Sequence, residues 1–289
     1  MPCFHPLKAF RRPGGGPLSF TRAHGFVDRP LSVPCGQCVG CRLERSRIWA
    51  LRCQHEASLY EDNCFVTLTY SDECLPESGS LVKGEFQNFF KRLRDRVGYS
   101  RIRFYGCGEY GDVTGRPHYH AIIFNYDFPD KEEFGKSKAG FPLFTSALLD
   151  DIWGLGHCQI GSVSFESAAY VARYVMKKIT GAPAVDHYAG RIPEFNLMSR
   201  RPGIGRAWID RYLSDTFPRD YVVVNGVKCS LPRYYDGVFE VSDAKALARV
   251  KGRRVRRAKL RADDNTPARL SVREELTQFR VSRFSRSEG

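Results

Sequence analysis

Two imidazoles separated by one residue, His118 and His120 in the run GRPHYHAIIF, form a donor pair for one divalent cation if the run is extended. Alternate residues of a strand share a face, so His118 and His120 point together while Tyr119 points away. The turn through Gly111, Gly115 and Pro117 returns the chain from Glu109 to the histidine run, which brings a carboxylate to the same end of a hairpin. Asp112 is the nearest alternative carboxylate, although Asp in a Gly-rich turn often serves the backbone alone. Two imidazoles and a carboxylate leave open positions on Mn²⁺ or Mg²⁺ for phosphate oxygens, and zinc accepts the same donors.

About fifty residues on, YVARYVMKK places Tyr170 and Tyr174 four apart, which on a helix sets their Cβ atoms about 5–6 Å from each other on one face. Val171, Val175 and Ile179 form a separate apolar stripe that can bury the helix and leave the tyrosines free, whereas two rings one turn apart are also an ordinary core pair. A phenol titrates near 10 and needs activation before it can attack a phosphodiester. Lys177 or Lys178 can stabilise phenolate or the charge that develops on phosphorus. Such an attack conserves the bond energy in a phosphotyrosine ester, and a second tyrosine permits a second transfer.

Cys35, Cys38 and Cys41 have ligand-like spacing, and Cys3 completes a four-thiolate zinc set, with His5 as the alternative fourth ligand. The remaining cysteines are dispersed. The 45 Lys and Arg against 32 Asp and Glu, a net +13, favour a polyanionic partner, either nucleic acid or an anionic membrane surface. KGRRVRRAKLR (251–261) can face phosphate, and Arg11, Arg12, Arg42, Arg45, Arg47 and the KRLRDR segment can add a second basic surface. Trp208, Tyr234 and Tyr235 fit base stacking or core packing equally. The GKS in EFGKSKAG lacks the glycine spacing of a phosphate-binding loop and no strand feeds it. MPCFHPLKAF is too polar for a signal peptide and no long apolar run occurs, so the expectation is a cytoplasmic chain without a membrane span.

The elements that must position these groups follow from periodicity. Residues 1–34, rich in Pro, Gly and Arg, read as an extended arm, and Leu43 to Tyr60 has helical spacing. CFVTLTY (64–70) alternates as a strand, and LVKGEFQNFFKRLRDRV is an amphipathic helix with Leu81, Phe86, Phe89, Phe90, Leu93 and Val97 as its stripe. Strands follow at RIRFYGCGEY and PHYHAIIF, then a helix in LFTSALLDDIWG, a strand in HCQIGSVSF, and a helix in ESAAYVARYVMKKI that Gly181 and Pro183 stop. Asn225-Gly226 signals a hairpin, Val238 to Ala262 a basic helix, and Ala268 to Phe284 a second one. The expected fold is α+β, an antiparallel sheet flanked by helices. It comprises an arm and zinc lobe (1–60), a core (61–182) and a C-terminal extension with a hairpin and basic helices (183–289).

FVTLTY, HYH and YVARYVMKK resemble motifs one, two and three of the HUH endonuclease superfamily, over about residues 60–180. CGQCVGC, SRRPGIG and DDNTPARLSVREE are similar to segments of the replication initiators of microviruses, single-stranded DNA phages, in their gokushovirus-like branch. The resemblance implies rolling-circle replication: a tyrosine cuts the single-stranded origin, leaves a 3′-hydroxyl primer and is joined to the 5′-phosphate, and a second tyrosine helps end the round. It implies His118 and His120 as metal ligands and Tyr170 and Tyr174 as nucleophiles. The family varies at the third ligand, for which the hairpin offers Glu109, and of the two lysines that could be the motif's catalytic one, Lys178 is preferred to Lys177 because it lies a full helical turn beyond Tyr174. Thr67 and Thr69 are assigned support beneath the site. With no ATPase motif in the chain, unwinding and extension fall to a host helicase and polymerase. A related transposase or plasmid initiator, and a zinc-containing protein that only binds DNA, are the competing readings.

Overall fold

The computed structural model describes residues 3–98, 101–137, 140–164, 168 and 183–286. They form two compact units, one of residues 1–45 with 248–289 and one of residues 46–247.

In the first unit the N-terminal segment is more ordered than an extended arm. Strands β1 (Leu7–Phe10) and β2 (Pro30–Val33) pair antiparallel. The intervening chain doubles back on itself because Gly14, Gly15 and Gly16 take φ of 79°, 83° and 87°, a region closed to most L-residues. Phe10 and Ser19 then exchange backbone hydrogen bonds of 2.8 and 2.9 Å. Phe4 packs beside Cys3, Cys38 and Leu270, the last on the C-terminal helix α8 (Pro267–Arg286).

The second unit is built on a seven-stranded antiparallel sheet in the order β6-β7-β8-β3-β5-β4-β9. Its centre is β3 (Asn63–Thr69), β5 (Pro117–Phe124) and β4 (Arg103–Tyr110). On β3, Cys64, Val66 and Leu68 are buried in strict alternation, as one face of a pleated strand must be when it covers a core. That core is closed by α2 (Lys83–Val97), whose Phe86, Phe89, Phe90 and Leu93 recur at helical spacing, and by Leu149, Ile152 and Trp153 of α3 (Ala147–Trp153). Tyr119 points into this core, stacked on Phe86 at 5.0 Å. A buried phenol needs partners, and Tyr119 finds them in Tyr70 Oη at 2.7 Å and the backbone N–H of Val82 at 2.9 Å.

The opposite face of the sheet is covered by α1 (Val39–Ala57). Trp49 stacks on Tyr105 at 4.8 Å, and Ala50 and Cys53 pack with Ile122 and Phe124. A buried ion pair fixes this face, with Arg103 Nε 2.5 Å from Glu56 Oε1, while Glu56 Oε2 accepts from the Gly205 N–H at 2.6 Å.

Other elements depart from the sequence expectation. Glu133 to Lys136 of EFGKSKAG lie in β6 (Glu132–Lys136), an edge strand whose charged and Gly residues have little β preference. It pairs with β7 (Pro142–Thr145), whose Leu143 to Thr145 are expected from the sequence to open a helix. The remaining sheet strands are β8 (Cys158–Gly161) and β9 (Phe195–Met198). Helices α4 (Pro183–Tyr188) and α5 (Arg206–Thr216) follow residues 165–182, and Asn225-Gly226 turns the hairpin of β10 (Val222–Val224) and β11 (Val227–Cys229) with φ of 47° and 77°. The basic C-terminal stretch is two helices, α6 (Arg233–Ser242) and α7 (Ala244–Lys259). Asp243 breaks it by accepting from the Ala246 N–H at 2.8 Å, an N-cap that starts a new helix. Among the described residues no helix is long and apolar enough to cross a membrane.

Burial of His55 has a measurable consequence. Desolvation pushes its imidazole down to about 3, so the native state holds it neutral while an unfolded chain protonates it near 6.5. The stability it contributes is fully present above pH 6.5 and is lost as pH falls toward 3, at a slope of at most about 1.4 kcal/mol per pH unit. Denaturant titrations between pH 7 and 4 should show a steeper loss for the wild type than for His55→Gln.

Candidate active site

Strand register assembles the site. Thr67 and Cys107 both lie opposite His120, and Thr69 and Glu109 both lie opposite His118. All of these side chains therefore project from the face turned away from the phenylalanine core. His118 Nε2 and His120 Nε2 lie 2.7 and 3.0 Å from one oxygen of Glu109, Oε1. The three residues form one ligand group, with one donor atom each and all within 4.8 Å of one another. Asp112, the alternative carboxylate, is an exposed turn residue outside that group.

The imidazole protons favour a cation at this point. His118 Nδ1 faces the Arg116 carbonyl oxygen at 3.1 Å and must carry the proton there. Neutral His118 consequently turns an Nε2 lone pair toward a carboxylate oxygen, a contact that requires either a second ring proton or a metal ion in the proton's place. His120 Nδ1 is hydrogen-bonded to Thr67 Oγ1 at 2.9 Å, and Phe65 stacks on its ring at 5.5 Å. The Glu109 side chain is only 3% exposed, and its second oxygen, Oε2, has no hydrogen-bond partner among the described residues. Burial is the largest influence on its carboxyl and opposes ionisation, yet the hydrogen bonds and charge of the two imidazoles together hold it below the ordinary range. Two imidazoles and an ionised, under-satisfied carboxylate suit a divalent ion, and the arrangement is a metal-dependent nuclease-type site.

Tyr170, Tyr174, Lys177 and Lys178 lie outside the described residues. Ala168, two residues before Tyr170, is described: it is helical and fully buried among Tyr105, Cys107 and Ile122, on the metal face of the sheet.

The second group is Cys3, Cys35, Cys38 and Cys41, whose sulfurs all lie within 4.8 Å of one another. Backbone N–H groups point at these sulfurs: Phe4 to Cys38 Sγ at 3.3 Å, Cys35 to Cys3 Sγ at 3.2 Å, and Cys38 to Cys35 Sγ at 3.3 Å. Desolvation raises the thiol of Cys35, but the N–H groups of Cys38 and Gln37 outweigh it and bring it down to about 7. Desolvation pushes Cys3 and Cys41 up. Four sulfurs gathered this closely suit a cation that ionises them together, and the group is a four-cysteine zinc-type site. His5, the alternative ligand, instead pairs with Glu274 at 2.6 Å.

Not all of the anticipated basic surface is available. Arg92 Nε donates to the Ile152 carbonyl at 2.7 Å and Arg94 Nη2 to the Ile102 carbonyl at 3.0 Å, so both tie elements together. Arg47 is similarly engaged by Ser230. The Thr67 hydroxyl does more than support the strand, since its hydrogen bond orients His120, and the sequence signals this through the alternation that puts Thr67 on the histidine face.

Loss of an orienting partner to a metal-bound histidine weakens metal binding by about 10–100-fold. Thr67→Val should therefore lower Mn²⁺ affinity by about that factor in calorimetric titration, with thermal stability retained, and Glu109→Ala should lower it further. Unchanged affinity in Thr67→Val would remove this threonine from the site.

Comparison with known proteins agrees with this geometry. The sequence description of the family "Replication-associated protein ORF2/G2P" matches residues 63–179. The chain is 37% identical over 243 residues to replication-associated protein VP4 of Bdellovibrio phage phiMH2K, covering 81% of this chain and 76% of that protein. It is 34% identical over 260 residues to replication-associated protein ORF2 of Spiroplasma virus 4 (82% and 79% covered), and 30% identical over 221 residues to replication-associated protein ORF4 of Chlamydia phage 1 (73% and 54% covered). No solved structure matches the chain. With relatives of this identity along most of its length, the chain belongs to the replication-associated (Rep) proteins of the HUH endonuclease superfamily, related to the replication initiators of single-stranded DNA phages.

Proposed function

We propose that this protein initiates and terminates rolling-circle replication by cutting one DNA strand at its origin and holding the 5′ end as a phosphotyrosine. In this reading its nearest functional counterparts are the initiators of gokushovirus-like microviruses, and it works in the cytoplasm of a bacterial host. The observation that carries the reading is the Glu109–His118–His120 group, set on the sheet face into which Ala168 packs just ahead of Tyr170 and Tyr174.

His118, His120 and Glu109 would hold Mn²⁺ or Mg²⁺, which supplies Lewis-acid polarisation of a non-bridging phosphate oxygen. The phenolic oxygen of Tyr170 or Tyr174 attacks phosphorus. The bond to the 3′ oxygen breaks, that oxygen leaves as the 3′-hydroxyl after taking up a proton, and the 5′-phosphate remains joined to the tyrosine. Lys178, or Lys177 beside it, stabilises the phenolate and the charge on phosphorus. The other tyrosine takes the second transfer that recircularises the displaced strand. Thr67 and the Arg116 carbonyl keep the histidine rings aimed. Zinc on Cys3, Cys35, Cys38 and Cys41 would hold the N-terminal segment in shape, and the net charge of +13 suits a single-stranded DNA partner. Host helicase and polymerase supply unwinding and extension.

Incubation with single-stranded origin DNA and Mn²⁺, followed by proteolysis and peptide mass spectrometry, should find a 5′-phosphonucleotide on Tyr170 or Tyr174. Tyr170→Phe/Tyr174→Phe should form no adduct. Cleavage that leaves a free 5′-phosphate and no adduct would mean metal-activated water, and would contradict the strand-transfer step.

A further inference from the structure

A second built site lies in the sheet-bearing unit, where α1, α5 and the segment leading into β10 meet. The imidazole of His55 lies flat against the indole of Trp208, with centroids 3.5 Å apart and planes 10° from parallel. Its Nδ1 is hydrogen-bonded to Tyr235 Oη at 2.9 Å. Trp208 in turn meets the ring of Tyr212 at 5.0 Å. The rings of His55, Trp208 and Tyr212 open onto a cavity of about 300 Å³, lined also by Tyr221, Val222 and Arg219.

The site differs from ordinary aromatic core. Tyr235 is wholly buried, but Trp208, Tyr212 and Tyr221 are only partly buried and keep ring surface open. Helix α5 departs from helical geometry at Tyr212, where φ is −114° and ψ is 22°. Thr216 Oγ1 donates to the Tyr212 carbonyl at 2.5 Å, a back-bond of the kind that bends helices, so the bend falls at a residue that lines the cavity.

The surroundings are cationic. Arg211 sits over the Tyr212 ring at 5.6 Å and Lys228 over the Tyr221 ring at 4.7 Å. Arg219 has no ion pair or hydrogen bond among the described residues, and the cavity lining holds a single carboxylate, Asp215. Partly exposed rings beside unpaired positive charge suit a ligand that is itself a flat ring carrying a phosphate.

We propose that this cavity receives an unpaired nucleobase of single-stranded DNA, stacked on the Tyr212 and Tyr221 rings with its phosphate on Arg219. The proposal rests on the strand-transfer reading for the identity of the polymer. It adds a place where the strand is gripped by a base, largely without regard to which base, because rings and Val222 make up more of the wall than hydrogen-bonding edges do.

Fluorescence anisotropy of the full chain with dT20, and with a 20-mer of abasic residues, separates base stacking from phosphate contact. The wild type should bind dT20 more tightly than the abasic strand. Tyr212→Ala should lose about tenfold on dT20 and nothing on the abasic strand. Arg219→Ala should weaken both alike and reduce the salt slope by about 0.7. Equal loss on both strands in Tyr212→Ala, or no loss on dT20, overturns the base pocket. If the same wild-type preparation still forms the tyrosine adduct, the strand-transfer reading survives that result. A wild type that binds neither strand overturns the base pocket, and the adduct on origin DNA alone then decides the strand-transfer reading.

Discussion

The molecule depends on the placement of a carboxylate almost out of reach of water between two imidazoles. An ionised Glu109 that is 3% exposed cannot stand alone, because desolvating an unpaired carboxylate costs far more than a domain has to spare. It is tolerable only when positive charge lies within bonding distance, as imidazolium or as a metal ion. The strand register makes this arrangement before the hydrogen bonds to Thr67 and Arg116 aim the rings: a slip of one residue between β4 and β5 would turn Glu109 or the histidines into the phenylalanine core.

Much of the remaining sheet can be understood as holding that register. Tyr119, between the two histidines, is their counterweight: its ring packs on Phe86 and its hydroxyl bonds Tyr70 and the Val82 backbone. A large, polar-tipped side chain anchored on one face fixes the strand so that its neighbours must point to the other. Gly106 on β4 contributes in the opposite sense, since a Cβ there would come within 2.6 Å of both the His120 carbonyl oxygen and the Phe86 ring. On the metal face, α1 packs through Trp49, Ala50 and Cys53, and the Arg103–Glu56 pair locks β4 to that helix. One face is thus dry and aromatic, and the other carries the chemistry.

The parts legible in the sequence were those with a short period or a strong local signal. Alternation gave β3, β4 and β5 and hence the histidine face, helical spacing gave α2, and Asn225-Gly226 gave the last hairpin. Cys3 was recognisable as the fourth zinc-type ligand from residue type alone, but the choice against His5 needed the contact with Glu274. The β6–β7 hairpin was not legible because Glu132, Glu133, Gly135 and Lys136 have no strand character except through their neighbours. The break at Asp243 is hidden inside a stretch with one helical period, although an Asp can start a helix as readily as it can decorate one. Arg92 and Arg94 read as surface charge because sequence does not reveal that their targets are the carbonyls of Ile152 and Ile102.

The central claim is that Glu109, His118 and His120 are ligands of a single ion. Anomalous diffraction at the manganese edge from crystals grown with Mn²⁺ tests it directly. The account predicts one peak on this face, within bonding distance of His118 Nε2, His120 Nε2 and a Glu109 oxygen, with both Nδ1 contacts to Arg116 and Thr67 intact. Manganese bound elsewhere, or an ordered Glu109 bridging two imidazoliums at saturating Mn²⁺ with no peak between them, would contradict it.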